Sequence, residues 1–139
     1  MSDANAAIDD AILRAVARTL RTDDRVKEVT LVTGERTDEH KRLVVTIDPA
    51  RYPEPIHDVR LEIQWYRNDR FNIHYAETHA DGDNWQCRWD RQSSDHSTRE
   101  HFHPPPDAGE PIDTRFPDDY RNVLSMVLAA IGARIDECW

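Results

Sequence analysis

Lysine is nearly missing from this sequence of 139 residues. Lys27 and Lys41 are the only two, so arginine supplies 16 of the 18 cations. Glycine is scarce, at four residues, which leaves no room for a glycine-rich phosphate loop. Two cysteines, Cys87 and Cys138, stand far apart and match no CxxC spacing. That excludes a disulfide-dense secreted scaffold and fits a reducing compartment. No run approaches the ~18 consecutive apolar residues of a membrane span, and no basic-then-apolar leader opens the chain. The expectation is a cytoplasmic chain with no membrane association. Net positive charge is absent too: the sum is −9, which argues against a basic, histone-like nucleic-acid binder.

What is present is charge of a particular kind. Charged residues reach 32% and apolar ones only 38%, against roughly 25% and 45–50% in ordinary globular chains. Aspartate outnumbers glutamate by 18 to 9. Short carboxylates in place of long lysine stems hold hydration water and expose little apolar surface. At 1 M salt the Debye length shrinks to ~3 Å, so self-repulsion of the acidic chain fades. The composition points to a high-salt cytoplasm, as in a halophilic archaeon. The plainer alternative is an acidic domain from an arginine-rich, high-GC genome. The length suits one domain spanning residues 1–139.

The patterning predicts a helix from Asp3 or Asn5 to about Leu20, with Ile8, Ile12, Val16 and Leu20 on one face. Residues 26–33 read as a strand, 34–40 as a polar hairpin turn and 43–47 as its partner. Val59, Leu61, Ile63 and Trp65 then alternate with polar residues, as do Phe71, Ile73 and Tyr75, and Trp85, Cys87 and Trp89. Such alternation marks antiparallel strands with one buried face and one open face. The shared parity assigns Trp65, Trp85 and Trp89 to the core. Residues 92–116 are polar and proline-rich without periodicity, longer than ordinary loops and so functional or disordered. A last helix starts near Pro117, with Tyr120, Val123, Leu124, Val127, Leu128, Ile131 and Ile135 on one stripe. The expected fold class is α+β: an antiparallel sheet of about five strands with an N-terminal and a C-terminal helix packed on one face.

Histidine carries the functional signal. His96, His101 and His103 cluster within the proline-rich stretch, whereas His40, His57, His74 and His79 are scattered. In an extended segment His101 and His103 project to one side while Phe102 points to the core. Pro104, Pro105 and Pro106 stiffen the chain after them in a polyproline II form. Three readings stand. Imidazoles titrating near ~6.5 can serve as general acid and base in metal-independent RNA cleavage, with Arg88 or Arg99 stabilising the phosphorane-like transition state. Two or three histidines with Asp90 or Asp95 can hold Zn²⁺ or another transition metal. Or all are solvated residues of an acidic surface. The open face of the central strands adds Arg60, Glu62, Gln64, Tyr66, Asn72, His74, Gln86, Arg88 and Asp90 as a polar floor. The negative charge is spread nearly evenly along the chain, so any RNA contact must be local and arginine-mediated.

The series Phe71-Asn72-Ile73-His74-Tyr75, then Gln86-Cys87-Arg88-Trp89-Asp90, then His96 and His101-Phe102-His103-Pro104-Pro105-Pro106 before an acidic last helix resembles the TumE-like toxins of prokaryotic toxin–antitoxin modules. The resemblance covers about residues 59–135 and leaves the helix and hairpin of residues 1–50 outside it. It implies an RNA-targeting toxin neutralised by a helix-turn-helix antitoxin encoded beside it. The residue roles come from the side-chain chemistry. His101 and His103 form the acid–base pair, with His96 as an orienting residue. Arg88 and Arg99 contact phosphate, Asp90 holds Arg88 or one imidazole, and His74 and Gln86 are further substrate contacts. No cofactor or metal enters this reading. The alternatives are a non-catalytic protein-binding domain with an acidic surface and an exposed strand edge, or a metal-binding domain built on the HxH pair.

Overall fold

The alternation of apolar and polar residues through the middle of the chain builds a single antiparallel meander. The structure, a computed structural model, describes residues 7–33, 41–93 and 98–139. A helix α1 (Asp10–Arg21) precedes seven strands: β1 (Val26–Val32), β2 (Arg42–Ile47), β3 (Ile56–Trp65), β4 (Phe71–His79), β5 (Trp85–Ser93), β6 (Thr98–His103) and β7 (Ile112–Asp113). The helix α2 (Tyr120–Cys138) closes the chain. The strands lie in sequence order, each antiparallel to the next. The α+β class with two terminal helices holds, and the sheet has seven strands rather than about five. The expected turn at residues 34–40 lies outside the described residues.

The two extra strands come from the stretch that reads as aperiodic. Strand β5 runs on to Ser93, and Thr98–His103 returns beside it, pairing Asp90 with His101 and Trp89 with Phe102. Its alternation is obscured because its open-face residues and several of its core-face residues are polar alike. On the core face Arg91 stands opposite Glu100, and the pair is 3.5 Å apart. Arg91 also donates to the carbonyls of Phe116 and Pro117, and Glu100 accepts from the Phe116 amide at 2.6 Å. This buried pair pins the segment leading into α2. The three prolines do not continue as a polyproline rod. The chain turns at once, with Gly109 N donating to Pro104 O at 2.9 Å and Gln86 N to Pro106 O at 2.8 Å.

The helices start later than the patterning predicts, and the reason is capping. Asp9 accepts from Ile12 N at 3.1 Å and makes Asp10 the first helical residue. Ile8 instead bridges to Tyr66, so the buried stripe is Leu13, Val16, Ala17 and Leu20. Likewise Asp119, not Pro117, opens α2, accepting from Arg121 N at 2.9 Å. The α2 stripe buries Val123, Leu124, Val127 and Ile131.

Between helices and sheet lies the core. Trp65 and Phe71, opposite each other across the β3–β4 turn, stack with ring centroids 4.7 Å apart. Such a pair adds about 0.5–1.5 kcal/mol beyond its buried area. Tyr120 meets Trp65 edge-on and Phe116 tilts against Phe71, so α2 docks on the strand parity that Trp65, Phe71 and Tyr75 define. The three tryptophans of the strands take core positions, Trp85 half-buried against Tyr75. Asp69 and Gly82 carry the positive φ angles, 65° and 86°, that the tight turns at those places require. Cys87 and Cys138 are free thiols. No described helix is long and apolar enough to cross a membrane.

Candidate functional site

The helices cover one face of the sheet. The other carries the even-numbered residues of β3 from Asp58 onward, those of β4 and β5, and the odd-numbered residues of β6. Cross-strand register aligns them into rows. One row runs Gln64, Asn72, Asp90, His101 and Asp113; the next runs Val44, Glu62, His74, Arg88 and His103. Residues far apart in sequence therefore meet because the register is continuous.

Asp90 is the centre of this arrangement. Its side chain is only 7% exposed, and Oδ2 lies 2.8 Å from His103 Nε2. Its Oδ1 is buried, has no hydrogen-bond partner among the described residues, and lies 3.6 Å from His101 Nδ1. Arg88 flanks both, with Nε 3.6 Å from Asp90 Oδ2 and Nη2 3.4 Å from His103 Nε2. The two imidazole centroids stand 6.4 Å apart. His103 Nδ1 faces the Gly109 carbonyl at 3.1 Å, while its Nε2 lies between the Asp90 carboxylate and the Arg88 guanidinium. His101 is freer. Its Nε2 lies 3.3 Å from Asp113, whose carboxylate is exposed, and the ring opens into a cavity of about 490 Å³ lined by Arg99, Thr114 and Arg115.

Of the residues singled out in the sequence, His101, His103, Arg88 and Asp90 come together, and Phe102 turns to the core against Trp89 as expected. Arg99 lines the His101 cavity from the same strand. His74 and Gln86 share the open face but are bound to each other, His74 Nε2 donating to Gln86 Oε1 at 2.7 Å. His96 and Asp95 lie outside the described residues. Among the described residues, no group of three or more His, Cys, Asp or Glu side chains is disposed to hold a metal ion. Sequence reading missed Gly109 and Asp113. Both reach the site through a turn and a two-residue strand too short to show periodicity.

A second polar cluster lies at the far end of the core face. Glu77 continues the apolar parity of Phe71, Ile73 and Tyr75, and that placement is the signal that marks it as a buried charge. Arg134 of α2 grips its carboxylate through Nε and Nη2 at 2.7 and 2.8 Å, and stacks 4.0 Å over Trp85. Tyr75 Oη and His79 Nε2 complete the shell at 2.7 and 2.8 Å, and Tyr52 Oη meets Tyr75 Oη at 2.8 Å. Burial pushes the Glu77 carboxyl up, but the hydrogen bonds from Arg134, His79 and Tyr75 outweigh it and hold it below its ordinary value. Burial lifts the Tyr52 hydroxyl and the Cys87 thiol each to about 12. This cluster fastens α2 to β4.

The sequence pattern of a family described as Toxin TumE matches residues 14–135. The match begins inside α1, so most of the first helix and the β1–β2 hairpin fall within the family pattern rather than preceding it. No curated protein and no solved structure matches the chain.

Proposed function

The chain belongs to the TumE toxin family, the toxin side of a toxin–antitoxin pair, and on that premise we propose that it acts by metal-independent RNA cleavage. The observation that carries this reading is the pair of imidazoles 6.4 Å apart, flanking one nearly buried carboxylate beside an arginine on an open sheet face. His101, the freer ring, takes the proton from a ribose 2′-hydroxyl as its oxygen bonds to phosphorus. The phosphorus–5′-oxygen bond breaks, and His103 supplies the proton to the leaving oxygen. The products are a 2′,3′-cyclic phosphate and a 5′-hydroxyl. At rest the His103 proton faces Asp90, and the leaving oxygen competes for it at the same edge. Arg88 and Arg99 neutralise the charge that develops on the phosphoryl oxygens. His96 is the orienting residue, and His74 with Gln86 contacts the substrate one row away.

The setting we propose is a high-salt cytoplasm of a halophilic archaeon, supported by the excess of aspartate over glutamate and of arginine over lysine. The proposed antitoxin carries a helix-turn-helix domain. Expression of the chain alone in a native-like host should arrest growth, and His101→Ala with His103→Ala should relieve the arrest while the protein still accumulates. Normal growth with the wild-type chain contradicts the toxic activity, and arrest that persists in the double variant removes these histidines from it.

A further inference from the structure

Next to the histidine site the open face holds a groove built for a different chemistry. Gln64 and Asn72 face each other across β3 and β4, and Asn72 stands opposite Asp90 in the row that runs on to His101. Two depressions of about 270 and 290 Å³ share Gln64 and Asn72 as common walls. Tyr66 borders the first, with the Arg70 guanidinium stacked 4.3 Å from its ring centroid. Both amides are half-buried, yet neither makes a hydrogen bond to the described residues. Gln86 shows the ordinary alternative, its amide oxygen being taken by His74.

Three features define what fits there. A side-chain amide offers one acceptor and two donors, the mixed set that matches the edge of a nucleobase. A phosphate offers acceptors alone, so it answers the amide N–H groups but leaves the amide oxygens unmatched, and the walls carry Arg42, Arg70 and Arg88 beside Glu62 and Asp90 rather than cations alone. The stacked Tyr66 and Arg70 supply flat faces of the type on which unpaired bases rest. We propose that this groove binds one nucleobase of single-stranded RNA and reads its hydrogen-bonding edge through Gln64 and Asn72. The inference rests on the RNA-cleavage reading and deepens it. Asn72 is two strand spacings from His101, roughly 9–10 Å, so a base in the groove sets its flanking phosphate before the imidazoles. The groove thereby fixes which nucleotide borders the cut.

The test uses binding rather than cleavage, so that the two readings fail separately. Fluorescently labelled 2′-O-methyl hexanucleotides of A, C and U lack the attacking hydroxyl and remain intact. Their affinities are measured by anisotropy at the salt concentration where the protein melts highest. The wild-type chain should separate them by about tenfold or more, the discrimination of one bidentate amide–base contact. Asn72→Ala and Gln64→Ala should each shrink the spread to less than about threefold, and His101→Ala should keep it. Matching melting curves establish that each variant is folded, and Gln64→Ala serves if Asn72→Ala does not fold. Equal wild-type affinities, no binding, or a spread that survives both substitutions overturns the inference, as does occupation of this face by a protein partner alone. RNA cleavage indifferent to neighbouring bases overturns the groove and spares the cleavage reading. Base-dependent binding without cleavage does the reverse.

Discussion

Asp90 stands opposite His101 in the ladder but makes its short contact diagonally, to His103 Nε2 at 2.8 Å. The two histidines therefore differ in what they do for the protein. His103→Ala leaves a carboxylate that is only 7% exposed without its hydrogen bond, and should lower stability by about 1–3 kcal/mol. His101→Ala removes a ring that no short hydrogen bond to Asp90 holds, and should cost under about 1 kcal/mol. Urea unfolding of both variants checks this. Equal losses contradict the division of roles.

Removing one partner of the Glu77–Arg134 pair leaves the other charge buried. Arg134→Ala should cost about 3 kcal/mol, with part of the loss recovered when Glu77→Gln is added. Thermal melts of the single and double variants decide whether the two positions couple.

The same carboxyl predicts a pH dependence. Its folded pKa lies below the ordinary 4.5, so the unfolded chain binds its proton first as pH falls. The stabilisation is complete above the ordinary value and is lost as pH drops through the folded one. Stability should therefore fall on acidification below about 4.5, and less steeply in Glu77→Gln. Identical acid limbs for the two proteins count against this linkage.

The legibility of the chain follows its periodicities. Strands β3, β4 and the start of β5 are readable because Val59 to Trp65, Phe71 to Tyr75 and Trp85 to Trp89 alternate cleanly. The same parity correctly turns His101 and His103 away from Phe102. Strand β6 is hidden because Arg91 and Glu100 fill core-face positions with a buried ion pair, which a polarity pattern reads as loop. The start of α1 is misplaced because Ile8 has helical spacing from Ile12 yet is held by a bridge to Tyr66. Gly109 and Asp113 are invisible, since a turn and a long-range register bring them to the histidines.

Salt tests the compositional reading. Raising KCl from ~0.1 M to ~3 M screens the acidic surface and should raise the melting temperature by at least about 5 °C. A melting temperature unchanged across that range fits an ordinary acidic domain instead.

The most direct measurement is the chemistry itself. Purified protein is incubated with a single-stranded oligoribonucleotide in the presence of a chelator, and the new ends are identified. The account predicts 2′,3′-cyclic phosphate and 5′-hydroxyl ends, no cut where the scissile ribose is 2′-deoxy, and a loss of about 10²–10⁴-fold in His101→Ala. Intact RNA, 3′-hydroxyl ends, or an undiminished rate in His101→Ala contradicts it.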